Sequence, residues 1–260
     1  MLSIVTNVDS LIAQQNLNVN SNFQSNTIQQ LTSGYRINYA SDDAAGLAQA
    51  NQDRDNVAQL NQGVLNISDG IAALQTMDGA MSNISQMLDR MQTLATEASS
   101  ADTGSTTTMN SEFQNVIGEI EREATNAGLS TTTLSVYTGG GASPTVAATL
   151  HTATATALGI STLTINTTAA AAIAAISAAI GKLGSAQGAV GAYENVLNYA
   201  SQLAQSQISN TSSAESQLRD ANVAQEAANL SKAQVMQQAT IAAMAQANQE
   251  PQAVLALLKQ

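Results

Sequence analysis

The chain has 260 residues, 44% of them hydrophobic but only 3% aromatic, with 10% charged and a net charge of -11. Eight Lys and Arg form no basic face, which excludes a nucleic-acid partner and an anionic membrane surface. No cysteine occurs, so there is neither a disulfide nor a thiolate site.

The apolar content is mostly Ala with Leu, Ile, Val and Met, a composition suited to thin helix–helix seams. The first residues, "MLSIVTNVDSLIAQQ", carry no Lys or Arg before Arg36 and no uninterrupted apolar core, unlike a secretory signal peptide. Asp42 and Asp43 stand where a helix N-terminus would begin and suit the positive end of its dipole. A local salt bridge from this pair to Arg36 is expected.

From Val57 to Ala98, apolar residues recur every three or four positions: Val57, Leu60, Val64, Ile67, Ile71, Leu74, Met77, Met81, Ile84, Leu88, Met91, Ala95 and Ala98. This spacing predicts one long helix with a single apolar stripe. A shorter helix is predicted over 107–126, with Met109, Phe113, Val116, Ile117 and Ile120 inward. Its "EIERE" run reads as a solvated face, Glu119 neighbouring Arg122 or Glu123.

Residues 129–167 are Thr-rich and partly alternating, interrupted by Gly139-Gly140-Gly141 and Pro144. They read as short strands or a hairpin with loops, or as a partly disordered stretch. The lone His151 sits here without a metal-ligating companion, and the glycines lack the Lys-Ser/Thr of a phosphate loop.

A second stripe starts near Ala169 and runs through Ile173, Ile176, Ile180, Leu183, Val190, Tyr193, Leu197, Ala200 and Ala204. It turns polar at Gln207 and Thr211 and resumes at Ala214, Leu218 and Ala221. The run "AAAAIAAISAAIG" is too short and too Ala-rich to span a bilayer. Gly181, Gly184, Gly188 and Gly191 weaken this helix or admit a close backbone. A last stretch, Val223, Ala227, Leu230, Gln234, Gln237, Ile241 and Met244, is predicted to form a Gln-diluted seam. The chain closes on "PQAVLALLKQ", a greasy helical turn where termini are usually polar.

The layout implies a mainly α fold: an elongated antiparallel helical bundle or coiled coil with a small β-hairpin-containing insert. The expected parts are an inner coiled-coil domain from 1–40 and 214–260, joined through 41–56 to an outer bundle. That bundle has helices in 57–126 and 168–213 and the insert at 127–167. No catalytic constellation, cofactor motif or metal site is present in the sequence, which excludes any recognisable enzyme class.

Two motifs then give a resemblance. Residues 32–52, "TSGYRINYASDDAAGLAQANQ", and the C-terminal "LSKAQVMQQATIAAMAQANQEPQAVLALLKQ" resemble those of bacterial flagellins. The resemblance covers about 1–126 and 168–260. "REATNAGLSTTTL" departs from the family's usual Thr-x-Phe-Asn-Gly segment, and no large outer domain follows. What remains looks like a short flagellin.

That resemblance implies a secreted structural subunit of the extracellular flagellar filament, exported by the type III route. Its terminal helices would be disordered alone and order on assembly. The residues implied in assembly are Leu11, Ile12, Leu31, Arg36, Asn38, Asp42, Asp43, Gln246, Asn248, Pro251, Val254, Leu255, Leu257 and Leu258. Segment 32–52 would bend the chain, with Gly34 and Gly46 allowing close approach. Further implied partners are other copies of the chain, the export chaperone on 214–260, and hook-associated and cap proteins. Arg90, Leu94 and Glu112 match a contact that some flagellins make with a host Toll-like receptor. The alternatives are a hook–filament junction protein and a non-catalytic secreted effector or adhesin.

Overall fold

A computed structural model describes residues 7–100, 103–140, 144–166 and 168–258, with the side chains of 103, 104 and 250–258 outside that description. It is mainly α. The elements are α1 (Val8–Ser33), α2 (Ala44–Ala98), α3 (Thr103–Asn126), β1 (Thr133–Tyr137), β2 (Thr145–Thr149), α4 (Ala155–Leu158), α5 (Ala169–Arg219) and α6 (Val223–Leu258). They form two compact units, Met1–Asp55 with Thr211–Gln260, and Asn56–Asn210.

In the Asn56–Asn210 unit, the α2 stripe is the core. Ile67, Leu74, Met77, Met81, Ile84, Leu88 and Met91 are buried, with Phe113, Ile117 and Ile120 of α3 and Ile176, Leu183 and Val190 of α5. The period of three and four residues keeps these side chains on one side of each helix. α2 is 55 residues long because nothing in it breaks a helix; at 1.5 Å per residue it extends about 82 Å. α3 ends where Gly128 takes φ 74 and Leu129 N–H returns to the Ala124 carbonyl at 2.8 Å.

Among its described residues the Thr-rich insert forms an antiparallel hairpin, pairing Thr133 with Thr149 and Tyr137 with Thr145. It also supplies core: Val136, Ala148, Leu150, Leu158, Ile160 and Ile165 are buried. Polar side chains fasten its main chain. Asn66 donates to the Tyr137 carbonyl, Gln114 to Leu163 and Lys182 to Ala157 and Leu158. Glu121, Asn110 and the Tyr193 hydroxyl accept from the N–H groups of Ala155, Ile165 and Thr149. His151 is exposed.

β1 lies close on α2. A Cβ added at Gly63 would fall 1.9 Å from the Thr138 carbonyl oxygen, and one at Gly70 2.7 Å from Val136. The glycines of α5 behave otherwise: nothing lies within 4 Å of a Cβ at Gly181, Gly184, Gly188 or Gly191, so they admit no close backbone. α5 contains an 18-residue stretch apolar enough to cross a membrane, by length and composition only. Its inward residues Ala172, Ile176, Ala179, Leu183, Ala186 and Val190 are buried in the unit's core.

The terminal helices make the other unit. α1 and α6 run antiparallel: Asn7 reaches Ala247, Asn20 reaches Ala233, and Tyr35 bridges Asp220. The α6 seam is a correction to the sequence expectation. Leu230, Gln237 and Met244 face inward as read, but Val223, Ala227, Gln234 and Ile241 are exposed, and the inward line is completed by Ala233, Thr240 and Ala247. The most deeply buried positions in this line are the small ones, Ala233 and Ala247.

Candidate assembly surface on the terminal helices

α1 has an inverted distribution of side chains. Its inward line is Ala13, Leu17, Asn20, Gln24 and Thr27. Its large apolar residues are outside: Val8 is 55% exposed, Leu11 56%, Ile12 52% and Val19 62%, with Phe23 and Ile28 also exposed. On α6, Val223, Val235, Met236 and Ile241 are likewise exposed. Single exposed apolar residues are ordinary, but a run of them along paired helices is a surface that lacks its cover.

Below this pair the chain turns sharply. Asn7 caps the start of α1 through the Ser10 N–H, and Gly34 ends it with φ 75. The left-handed geometry, not close packing, explains Gly34, because nothing lies within 4 Å of a Cβ there. Arg36 N–H donates to the Arg219 carbonyl at 2.6 Å, its guanidinium donates to Leu218 at 2.7 Å, and Ala221 N–H donates to Gly34. The Arg219 guanidinium stacks 4.2 Å from the centre of the Tyr35 ring.

The expected Arg36 salt bridge does not form. The Asp42 carboxylate accepts from the N–H groups of Asn38 and Tyr39, and Asp43 caps α2 through the Gly46 N–H at 2.8 Å. Both acids therefore serve the turn's own backbone, and Arg36 serves carbonyls. Asn38 donates to the Tyr35 carbonyl. Gly46 does meet the expected close approach, since its Cβ would press on the Asp43 carboxylate and Ile37. Ile37 is buried at this corner.

The predicted assembly residues therefore divide. Leu11, Ile12, Gln246 and Asn248 lie exposed on the helix pair, and Leu31 is half-buried. Arg36, Asn38, Asp42 and Asp43 build the turn. Pro251, Val254, Leu255, Leu257 and Leu258 continue α6, but their side chains lie outside the described residues. Sequence reading missed Val8, Val19, Phe23, Val235 and Met236. The step from Val8 to Ile12, then Val19 to Phe23, was a legible signal for the first three.

On α2 and α3, Arg90 Nε and Nη2 both donate to the Glu112 carboxylate, at 2.9 and 2.6 Å. Both side chains are about half exposed, so the pair contributes under about 1 kcal/mol. Leu94 does not join them on the surface: it is 1% exposed and belongs to the core. Glu119 pairs with Arg122 one turn on, as the charge run suggested. The hydrogen bond from Arg122 holds the Glu119 carboxyl below its ordinary value, and Glu119 in turn raises Arg122.

Two family profiles match this architecture, the bacterial flagellin N-terminal helical region over residues 4–133 and the bacterial flagellin C-terminal helical region over 173–258. A flagellin of Halalkalibacterium halodurans is 32% identical, the match covering 97% of this chain and 98% of that protein. A flagellin of Escherichia coli O127:H6 is 43% identical over 46% of this chain, which corresponds to 22% of its own length. The B-type flagellin of Pseudomonas aeruginosa is 42% identical over 37% of this chain and 20% of its own. With both terminal helical regions present and a relative of nearly equal length, the chain belongs to the bacterial flagellin family.

Proposed function

We propose that this short flagellin is the structural subunit of a flagellar filament and polymerises through its terminal helix pair. The observation that carries the reading is the set of exposed apolar residues on α1 and α6, Val8, Leu11, Ile12, Val19, Val235 and Ile241. A second copy covers it, and because the contact is head-to-tail it repeats into an open helical polymer. The family is structural and non-catalytic, and its place is the extracellular filament.

The finer partners follow from the same surfaces. The segment 214–260, with Val223, Val235, Met236 and Ile241 exposed, is the target of an export chaperone that takes a helix in a groove. Hook-associated and cap proteins meet the same terminal helices at the filament's ends. Arg90 and Glu112 stand accessible for a Toll-like receptor, while Leu94 acts from below by holding α2 in place. A hook–filament junction role is less well supported, because the C-terminal profile match runs through to residue 258.

The test is seeded polymerisation followed by negative-stain electron microscopy. The unsubstituted chain gives long uniform tubes. Ile12→Asp, and separately deletion of 251–260, leave the Asn56–Asn210 unit folded and abolish long filaments. Tubes of normal length from both variants would remove the terminal helices from the assembly interface.

A further inference from the structure

α1 carries two stripes. The seam, Ala13, Leu17, Asn20, Gln24 and Thr27, advances in alternating steps of four and three and faces α6. Val8, Ile12, Val19 and Phe23 form the other and are exposed. At 3.6 residues per turn the second stripe lies roughly 110° round the helix. It is the more apolar of the two, yet the seam is what α6 receives.

Apolar area does not decide between the two orientations once a filament has formed. This step rests on the proposed function, in which neighbouring copies cover the outward stripe. Both faces are then out of water whichever way α1 is turned, and the burial terms largely cancel. The Asn20 amide does not cancel. Asn20 is 5% exposed, and its Nδ2 donates to the Ala233 carbonyl at 2.8 Å. Turned outward against an apolar neighbour, that amide would be buried without a partner, which is far more costly than a lost surface bond. Asn7, donating to Ala247 at 2.8 Å, lies on the same side but is only half-buried. A single buried Asn in a helical seam is an established means of choosing one pairing among near-equals.

We propose that Asn20 selects the face on which α1 meets α6 in the assembled subunit. It is a positioning residue: it makes no contact with a neighbour itself, but decides which stripe is offered to one.

The absence of native cysteine makes the test direct. Asn7–Ala247 and Asn20–Ala233 bracket the level at which Ala13 meets Thr240. Ala13→Cys with Thr240→Cys reports the seam orientation, and Ile12→Cys with Thr240→Cys reports the turned one. Each pair is placed in tagged full-length subunits carrying Asn20, Asn20→Leu or Asn20→Gln. These are incorporated as a minority into filaments of the unsubstituted chain, oxidised, and read as cross-links within one subunit. With Asn20 the 13–240 product dominates. Asn20→Leu shifts the ratio toward 12–240 by about tenfold or more, the change expected from one buried amide. Asn20→Gln, which keeps a donor, restores it. Exclusion of the Leu variant from filaments that the Gln variant enters supports the same assignment. An unchanged ratio in the Leu variant, or equal exclusion of both, overturns it. Should the unsubstituted chain form no filaments, it is the functional reading that fails and this assignment falls with it.

Discussion

Gly63→Ala sets two effects of opposite sign against each other in one helix. In the middle of α2, replacing Gly by Ala gains about 1 kcal/mol of helix propensity. At Gly63 the new methyl would lie 1.9 Å from the Thr138 carbonyl oxygen and 2.8 Å from the Gly139 nitrogen. These are backbone atoms, so no side chain can swing away, and the hairpin must move. Overpacking of this kind costs about 1–3 kcal/mol. Lifting β1 also uncovers Val136, whose burial is worth about 1.5–3 kcal/mol. The net expectation is a loss of about 2 kcal/mol. For a unit of this size that lowers Tm by about 4–8 °C. Gly79→Ala is the control, in the same helix with nothing within 4 Å of the added Cβ. It should raise Tm by about 2–4 °C. Thermal melts of both variants by circular dichroism decide the matter. A Gly63→Ala protein melting at or above the unsubstituted one would mean that β1 does not rest on α2 as described.

Leu88→Asp places a carboxylate in the fully buried α2 seam and should destabilise the Asn56–Asn210 unit by more than the ~3 kcal/mol typical of Leu→Ala; an unchanged denaturation midpoint would put the stripe elsewhere. Asp43→Ala removes the cap on the Gly46 N–H and should cost about 1 kcal/mol, with Asp43→Asn recovering most of it, both read by urea titration. Glu119 titrates below its ordinary value because Arg122 donates to it, so the pair's stabilisation is present above the ordinary carboxylate pKa and is lost as pH falls through the lowered one. Both groups lie on the surface, so the test is the NMR titration midpoint of Glu119, which Arg122→Gln should raise to its ordinary value; no movement would show the pair is not formed in solution.

What could be read from the sequence followed from side-chain size. The α2 and α3 stripes use Leu, Ile, Met and Phe on the buried side, so their period marked the core directly. In α6 the buried side is Ala233 and Ala247, small enough to escape notice, while Val223 and Ile241 stood out and proved to be exposed. Periodicity of large residues marked the buried face in α2 and α3, whereas in the terminal helices Val8, Ile12, Val19 and Ile241 lie outside the intramolecular seam. The turn at 34–43 was located from its motif, but its bonding was not. Asp42 and Arg36 were paired by charge, whereas each is satisfied by backbone groups that only the folded turn brings near. The insert was legible as a hairpin from Thr, Gly and Pro. Its contribution to the core was not, since Val136, Ala148 and Ile160 are isolated apolar residues whose burial depends on partners far along the chain.

The fastening of the insert bears on how this protein can change over time. Asn66, Asn110, Gln114, Glu121, Lys182 and Tyr193 all grip main-chain atoms, which are the same whatever residue bears them. Thr133, Ser135, Tyr137, Thr145, Ala147 and Thr149 face outward from the hairpin and are not what holds it. Those six positions can therefore drift in identity, altering the appearance of the molecule to any antibody or phage that reads them, while the helices beneath stay in place.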